Sequence, residues 1–405
     1  MKIDFQPVAP DSMAASILLS FLATAGLYYV NIMPALIDGL KEGLAFSNRQ
    51  AGLVGSFNMY GGAAGALLMA VLVKRIAWRP AAQGMLLALI AIDLLSMHIV
   101  DPVALTAVRF VHGVVGGALV GLGFSLFARM AAPDRTFGVL LLVQAGAGGL
   151  GVMILPLLVP RFGTPILFWA LILFSTITLV MVQFLPQYAI RDAQRGPARA
   201  LPAMLRPLCF ALLSVTLFQA ANMGLYAFVI GLGKSAGLEV GFVSQTLGMS
   251  NWIGMLGALL VVVLSTRRGI FLPIVGGIVL NALGSWLLLY SEVKLFWIIS
   301  NCLTGITWNF VIAYLLGMSA RFDRSGQAAV WAGFASKIGL ASGPMIGSLI
   351  LADAHYAPLI WAALLLLALA AFAASLPAWT LDGLAGTGLL SKEPSSANSA
   401  PVETK

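Results

Sequence analysis

Four ionisable side chains interrupt long apolar runs of this chain: Asp93, Arg109, His112 and Lys337. At the centre of a bilayer such a residue costs about 2.5–3.5 kcal/mol on insertion scales, so each is a candidate for chemistry. Lys337 suits the anchoring of an anion, and no acidic residue falls within the second-half runs to neutralise it. Arg109 suits substrate anchoring or a pairing with Asp93, since the two lie on consecutive runs joined by a short turn. His112 follows Arg109 by three residues, on nearly the same helix face. Its protonation near neutral pH suits a proton relay, and a neutral hydrogen-bonding role is the alternative. An uncharged set could complete a binding site: Tyr28, Gln144, Asn222, Tyr226, Trp308 and Asn309. Trp308 and Asn309 offer stacking and hydrogen bonding to a ring or carboxylate. Asn222 and Tyr226 share a face. Further polar residues on the same runs include Asn58, Gln219 and Asn251, and interhelical hydrogen bonding is the plainer role for them all.

The elements that must position these residues are membrane helices. Hydrophobic residues make up 60% of the 405 and charged residues 9%, against about 25% charged in soluble domains. A chain so poor in charge needs lipid as its solvent. Unbroken apolar runs of about 20 residues predict helices and exclude a β-barrel. Twelve spans are expected, near 13–36, 50–73, 82–100, 103–128, 137–159, 165–185, 207–232, 242–264, 271–290, 295–318, 328–351 and 356–377. They divide the chain into an N-terminal tail (1–12), a six-helix bundle (13–185), a linker (186–206), a second six-helix bundle (207–379) and a disordered tail (380–405).

The net charge of +8 sits in short loops rather than on one face, which argues for topology and against nucleic acid. Lys74, Arg75, Arg79, Arg129, Arg135 and the linker arginines fall on one side, with Arg267, Arg268, Arg321 and Arg324. Only Lys41, Arg49, Arg161, Lys234 and Lys294 fall on the other. The bias predicts cytoplasmic termini in an inner membrane. Cys209 and Cys302 lie in apolar runs and suggest neither a disulfide framework nor a metal site. No Walker loop is present, so neither ATP nor another cofactor is expected.

The two halves repeat. Gly65-Ala66-Leu67-Leu68 recurs as Gly257-Ala258-Leu259-Leu260, and the same offset carries Gly113 onto Gly305 and Arg109 onto Asn301. Such a repeat in an apolar chain predicts two homologous bundles with a ligand site between them.

These residues resemble the major facilitator superfamily over nearly the whole chain. Gln50-Ala51-Gly52-Leu53-Val54-Gly55-Ser56 with Gly61, Gly62 and Gly65 is similar to its second helix. The following loop, with Lys74, Arg75 and Arg79, stands where the family has its cytoplasmic gate loop. Here Lys74 replaces the usual Asp, and Ala70 and Ala77 replace glycines. Arg109-Phe110-Val111-His112-Gly113 resembles the family's Arg-x-x-Gln-Gly motif, whose arginine is implicated in proton coupling. The Gly-Pro of the family's antiporter motif is missing from helix five. A similar pattern stands in helix eleven instead, as Gly339-x-x-x-Gly343-Pro344-x-x-Gly347. The resemblance implies an all-α fold of twelve helices and alternating access.

With Arg109, His112 and Lys337 against one Asp, the interior is net positive. The expected function is therefore secondary transport of a small organic anion, a carboxylate held between Lys337 and Arg109. Proton linkage would run through His112 or Asp93. The alternative is a proton-driven efflux pump for lipophilic compounds. An enzyme would want a His/Asp/Glu cluster at the membrane interface, which is missing. The expected partners are a small-molecule substrate, lipid and protons, with the protein acting as a monomer.

Overall fold

The computed structural model describes residues 6–188, 205–264, 269–322, 327–351 and 355–386. The first half holds α1 (Met13–Asn31), α2 (Met33–Leu44), α3 (Asn48–Leu72), α4 (Trp78–Ser96), α5 (Pro102–Phe127), α6 (Pro133–Phe162) and α7 (Pro165–Met181). The second half holds α8 (Leu205–Ser235), α9 (Val240–Leu264), α10 (Phe271–Leu287), α11 (Lys294–Ala320), α12 (Gln327–Ile350) and α13 (Ala357–Gly386). Among the described residues, eleven of these helices are long and apolar enough to cross a bilayer. The two exceptions have local causes. The 24-residue α12 is long enough to cross, but Lys337, Ser336 and Ser342 dilute its apolar character. Helix α2 continues the first span beyond a break at Ile32 (φ −104°, ψ 16°). Pro34, in the first turn of α2, lacks the N–H that would carry the ladder through.

Two expected boundaries change. The stretch from Asp38, expected as loop, is helical to Leu44, where Ala45 takes a left-handed conformation (φ 56°). A capping box then starts α3, Ser47 Oγ accepting from Gln50 N while Gln50 Oε1 accepts from Ser47 N. The last helix, expected to end at 377, runs on to Gly386. It therefore contains an acidic residue, Asp382, which accepts from the backbone N–H of Ile270 (2.9 Å) and Phe271 (3.0 Å) and so caps α10. That position is far from Lys337. The linker arginines 191–199, the second-half loop at 265–268, Arg324 and the tail from 387 lie outside the described residues.

The repeat is visible as packing. A Cβ built on Gly65 of α3 would lie 1.9 Å from the Val114 carbonyl oxygen of α5. A Cβ on Gly257 of α9 would lie 2.0 Å from the Ile306 carbonyl oxygen of α11. Both partners are related by the offset of the sequence repeat. In each half the second span and the fourth therefore touch backbone to backbone, as small residues allow in membranes. This positions the fourth-span side chains, Arg109 and His112 on α5 and Trp308 and Asn309 on α11.

Candidate functional site

The first-half charges form a sealed cluster. Arg109 Nη1 donates to Asp93 Oδ1 at 2.8 Å, and both side chains are inaccessible. Arg109 Nη2 donates to the Ser96 hydroxyl and, at 3.3 Å, to the Ile92 carbonyl. The guanidinium also faces the rings of Phe168 (5.1 Å) and Tyr29 (5.8 Å). Asn58 Nδ2 donates to the Arg109 carbonyl (2.9 Å) and to His112 Nδ1 (2.8 Å). The first bond fixes the amide orientation. Hence Nδ1 is an acceptor, and the ring proton sits on Nε2, 3.4 Å from Asp93 Oδ1. The cluster ties α3, α4 and α5 together. Arg109 is thus engaged inside its own half and is not turned toward Lys337, because Asp93 claims it first. Both nitrogens of His112 are likewise occupied.

The second half offers neutral polar groups instead. Trp308 Nε1 donates to Gln219 Oε1 (2.7 Å), and Gln219 Nε2 donates to the Ser336 hydroxyl (2.8 Å), linking α11, α8 and α12. Asn222 donates to Phe218 O (2.9 Å) and Asn309 to Gly305 O (3.0 Å), each within its own helix. Tyr226 crosses to the first half, its hydroxyl donating to Asn31 O (3.0 Å) and accepting from Asn251 (3.2 Å).

Lys337 follows Ser336, ten residues into α12, about 15 Å from that helix's start. It is half-buried, and among the described residues it has neither a hydrogen bond nor an ion pair. By helical spacing it shares a stripe with Pro344 and Ser348. Those two residues abut Gly52 of α3, where an added Cβ would meet Ser348 Cβ at 2.6 Å and Pro344 O at 3.0 Å. Lys337 therefore lies along the seam between the halves, at mid-depth.

The seam is closed on the face opposite the chain ends. Lys234 of α8 pairs with Asp38 (3.2 Å) and with Glu42, both on α2. Lys41 Nζ donates to the Tyr356 hydroxyl (3.2 Å). Gly149 of α6 meets Gly248 of α9 so closely that an added Cβ would be 2.9 Å from the Gly248 carbonyl oxygen. Deepest in this series is Tyr60, midway along α3, bonded to Ser342 of α12 (2.8 Å). On the other face Lys74 and Arg75 are exposed. Arg79 donates to Leu185 O and stacks over Trp78 (5.3 Å), both in its own half. Among the described residues, Lys74, Arg75 and Arg79 make no bond to the second half. Replacing Lys234 with Gln should loosen the far seam. With Ser348→Cys as reporter and Cys209 and Cys302 removed, labelling by an impermeant maleimide should quicken about fivefold. An unchanged rate would show that the ion pair does not hold the seam.

Two further expected site residues lie on α1 and α6. Tyr28 stacks on Phe174 of α7 (4.6 Å, 19°), inside the first half. Gln144 is half-buried with no hydrogen bond among the described residues, on the α6 stripe of Gly148 and Gly151 that abuts Asn31 and Ile32. Sequence reasoning missed Ser96, Ser336, Ser342 and Tyr60, which are ordinary residue types for helices. It also missed the far-face cluster, because Asp38, Lys41 and Glu42 looked like loop.

This is a helical membrane protein of two repeated halves meeting at a polar seam. The chain belongs to the Major Facilitator Superfamily, whose model matches residues 15–319. No curated protein matches it. Among solved structures it is similar to the nucleoside transporter NupG, at 14% identity and TM-score 0.65, covering 91% of this chain and 98% of that one. It is also similar to the POT family transporter PepTSo, at 12% identity and TM-score 0.69, covering 95% and 100%. At these identities the likeness is one of fold.

Proposed function

We propose that this protein is a secondary transporter of small organic anions, carboxylates foremost, with Lys337 as the anchoring charge. The observation that carries this is a lysine at mid-depth in the seam with no hydrogen-bond or ion-pair partner among the described residues. Its natural counter-ion is the substrate, since an unpaired buried charge is costly and a paired one much less so. The two halves rock about this depth. A far seam closed by ion pairs, with Lys74 and Arg75 exposed on the other face, fits the state open to the cytoplasm, given cytoplasmic termini in an inner membrane as the arginine bias indicates. Substrate shifts the two states by its different affinity for each.

Arg109 is assigned the second of the two roles the sequence suggests: its charge is met by Asp93, so it positions α4 against α5. Proton linkage through His112 and Asp93 would require their shared bonds to open during rocking, so we assign them to the same strut in this state. The neutral set that remains, Trp308, Asn309, Asn222, Tyr226 and Gln144, lines the approach to Lys337.

The test is uptake of radiolabelled carboxylates into proteoliposomes. Lys337→Gln should lower uptake by about 10- to 100-fold, the range of one charged hydrogen bond, while the purified protein stays monodisperse. Unchanged uptake in this variant would sink the proposal.

A further inference from the structure

The polar groups beside Lys337 are engaged with one another, and this limits what the substrate is. Gln219 is 3% exposed and Ser336 9% exposed. Both polar ends of the Gln219 side chain are taken, the oxygen by Trp308 Nε1 and the nitrogen by Ser336 Oγ. The indole therefore has no hydrogen-bond donor left, and a half-buried Trp308 offers only its ring. The relay also ties the ring, through Gln219, to the turn of α12 that carries Lys337. Polyhydroxylated ligands need several unengaged donors and acceptors, because each buried hydroxyl without a partner costs binding. Here the Trp308 N–H and the Gln219 amide, in the relay that ends at Ser336 beside Lys337, are committed in advance. What this corner of the seam offers is one ammonium and one immobilised aromatic ring.

We infer that the substrate is a monocarboxylate with an apolar or aromatic body, its carboxylate on Lys337 and its body against Trp308. This rests on the anion proposal and sharpens it. In it Gln219 is a positioning residue: it holds the ring and does not touch the substrate. The ring recognises by shape and dispersion, so selectivity follows ring orientation.

The experiment compares benzoate with gluconate, a carboxylate whose body is all hydroxyls, in equilibrium binding to the purified full chain. The expected result is a preference for benzoate of about tenfold or more, which is about 1.4 kcal/mol. Trp308→Ser should reduce that preference to below about threefold. Trp308→Phe, which keeps a ring but no N–H, should retain a clear benzoate preference. Gln219→Leu should lower the preference without abolishing anion binding, and it serves as the check if Trp308→Ser does not fold. Equal binding of the two carboxylates by the unaltered protein, or a full preference persisting in both Trp308→Ser and Gln219→Leu, overturns this inference and leaves the Lys337 anchor standing. Binding of neither carboxylate overturns the anion proposal and this inference together.

Discussion

Asp93→Ala should destabilise the folded protein by about 3–5 kcal/mol, the usual result of stripping one partner from a buried ion pair. Arg109 would be left wholly inaccessible, with a hydroxyl, one carbonyl and two ring faces to meet its charge. His112 Nε2 would lose its acceptor as well. Thermal unfolding in detergent, followed by intrinsic fluorescence, reads this directly. The double variant Asp93→Asn with Arg109→Gln removes both charges, and neutral pairs of similar volume often substitute without loss. It should recover most of the deficit, and with the single variants Asp93→Asn and Arg109→Gln a double-mutant cycle isolates the pair's coupling. If the double variant is no better than the single one, the pair is not the source of the loss, and Arg109 has a partner-independent role.

Gly113→Ala should be nearly as damaging, although it adds one methyl group. That methyl would sit 1.9 Å from the Asn58 carbonyl oxygen, so α3 and α5 must separate. Separation also disturbs the Asn58 amide that bridges Arg109 O and His112. Overpacking of this kind costs about 1–3 kcal/mol. The repeat supplies an internal control. At Gly305, the matching position, an added Cβ would lie 3.1 Å from the Ser250 carbonyl oxygen, which a small shift accommodates. Gly305→Ala should therefore lower the unfolding temperature much less than Gly113→Ala, both measured in the same detergent. Equal losses would mean that the two halves pack alike at this depth, contrary to the distances.

Much of the architecture was legible because bilayers impose simple rules. Spans follow from apolar length, and Gly65 with Gly257 reveals the repeat because backbone contact tolerates only a glycine there. The Asp93–Arg109 pair was within reach too, since a short turn keeps the two charges close. The far-face cluster was not. Its partners, Asp38 and Lys234, lie 196 residues apart, and four charged residues between Asp38 and Arg49 make a helix look like a loop. What decided the matter was Pro34, which restarts the helix beyond the break at Ile32. For Arg109 the sequence left two roles open, substrate anchoring and pairing with Asp93. Its charge was legible, but whether a charged side chain looks into a cavity or into its own bundle depends on helix rotation. Rotation is set by packing against neighbours, which sequence spacing does not encode. The Trp308–Gln219–Ser336 relay was hidden for a similar reason: Trp308 and Gln219 were visible as polar residues in apolar runs, but their joining needed three helices at one depth.

The sealed cluster in the first half also bears on how the chain reaches the membrane. Asp93 and Arg109 sit on α4 and α5, joined by a turn of only a few residues. Inserted one helix at a time, each charge would meet lipid alone, at about 2.5–3.5 kcal/mol apiece. Inserted as a hairpin, the two arrive already neutralised, with Ser96 on the same α4 to take the second guanidinium nitrogen. The second half has Ser285 and Asn301 at the corresponding positions, so α10 and α11 carry no such mid-span charge and can enter singly. Two hairpins at matching positions thus differ in charge, and the α4–α5 hairpin is expected to enter the membrane as a unit.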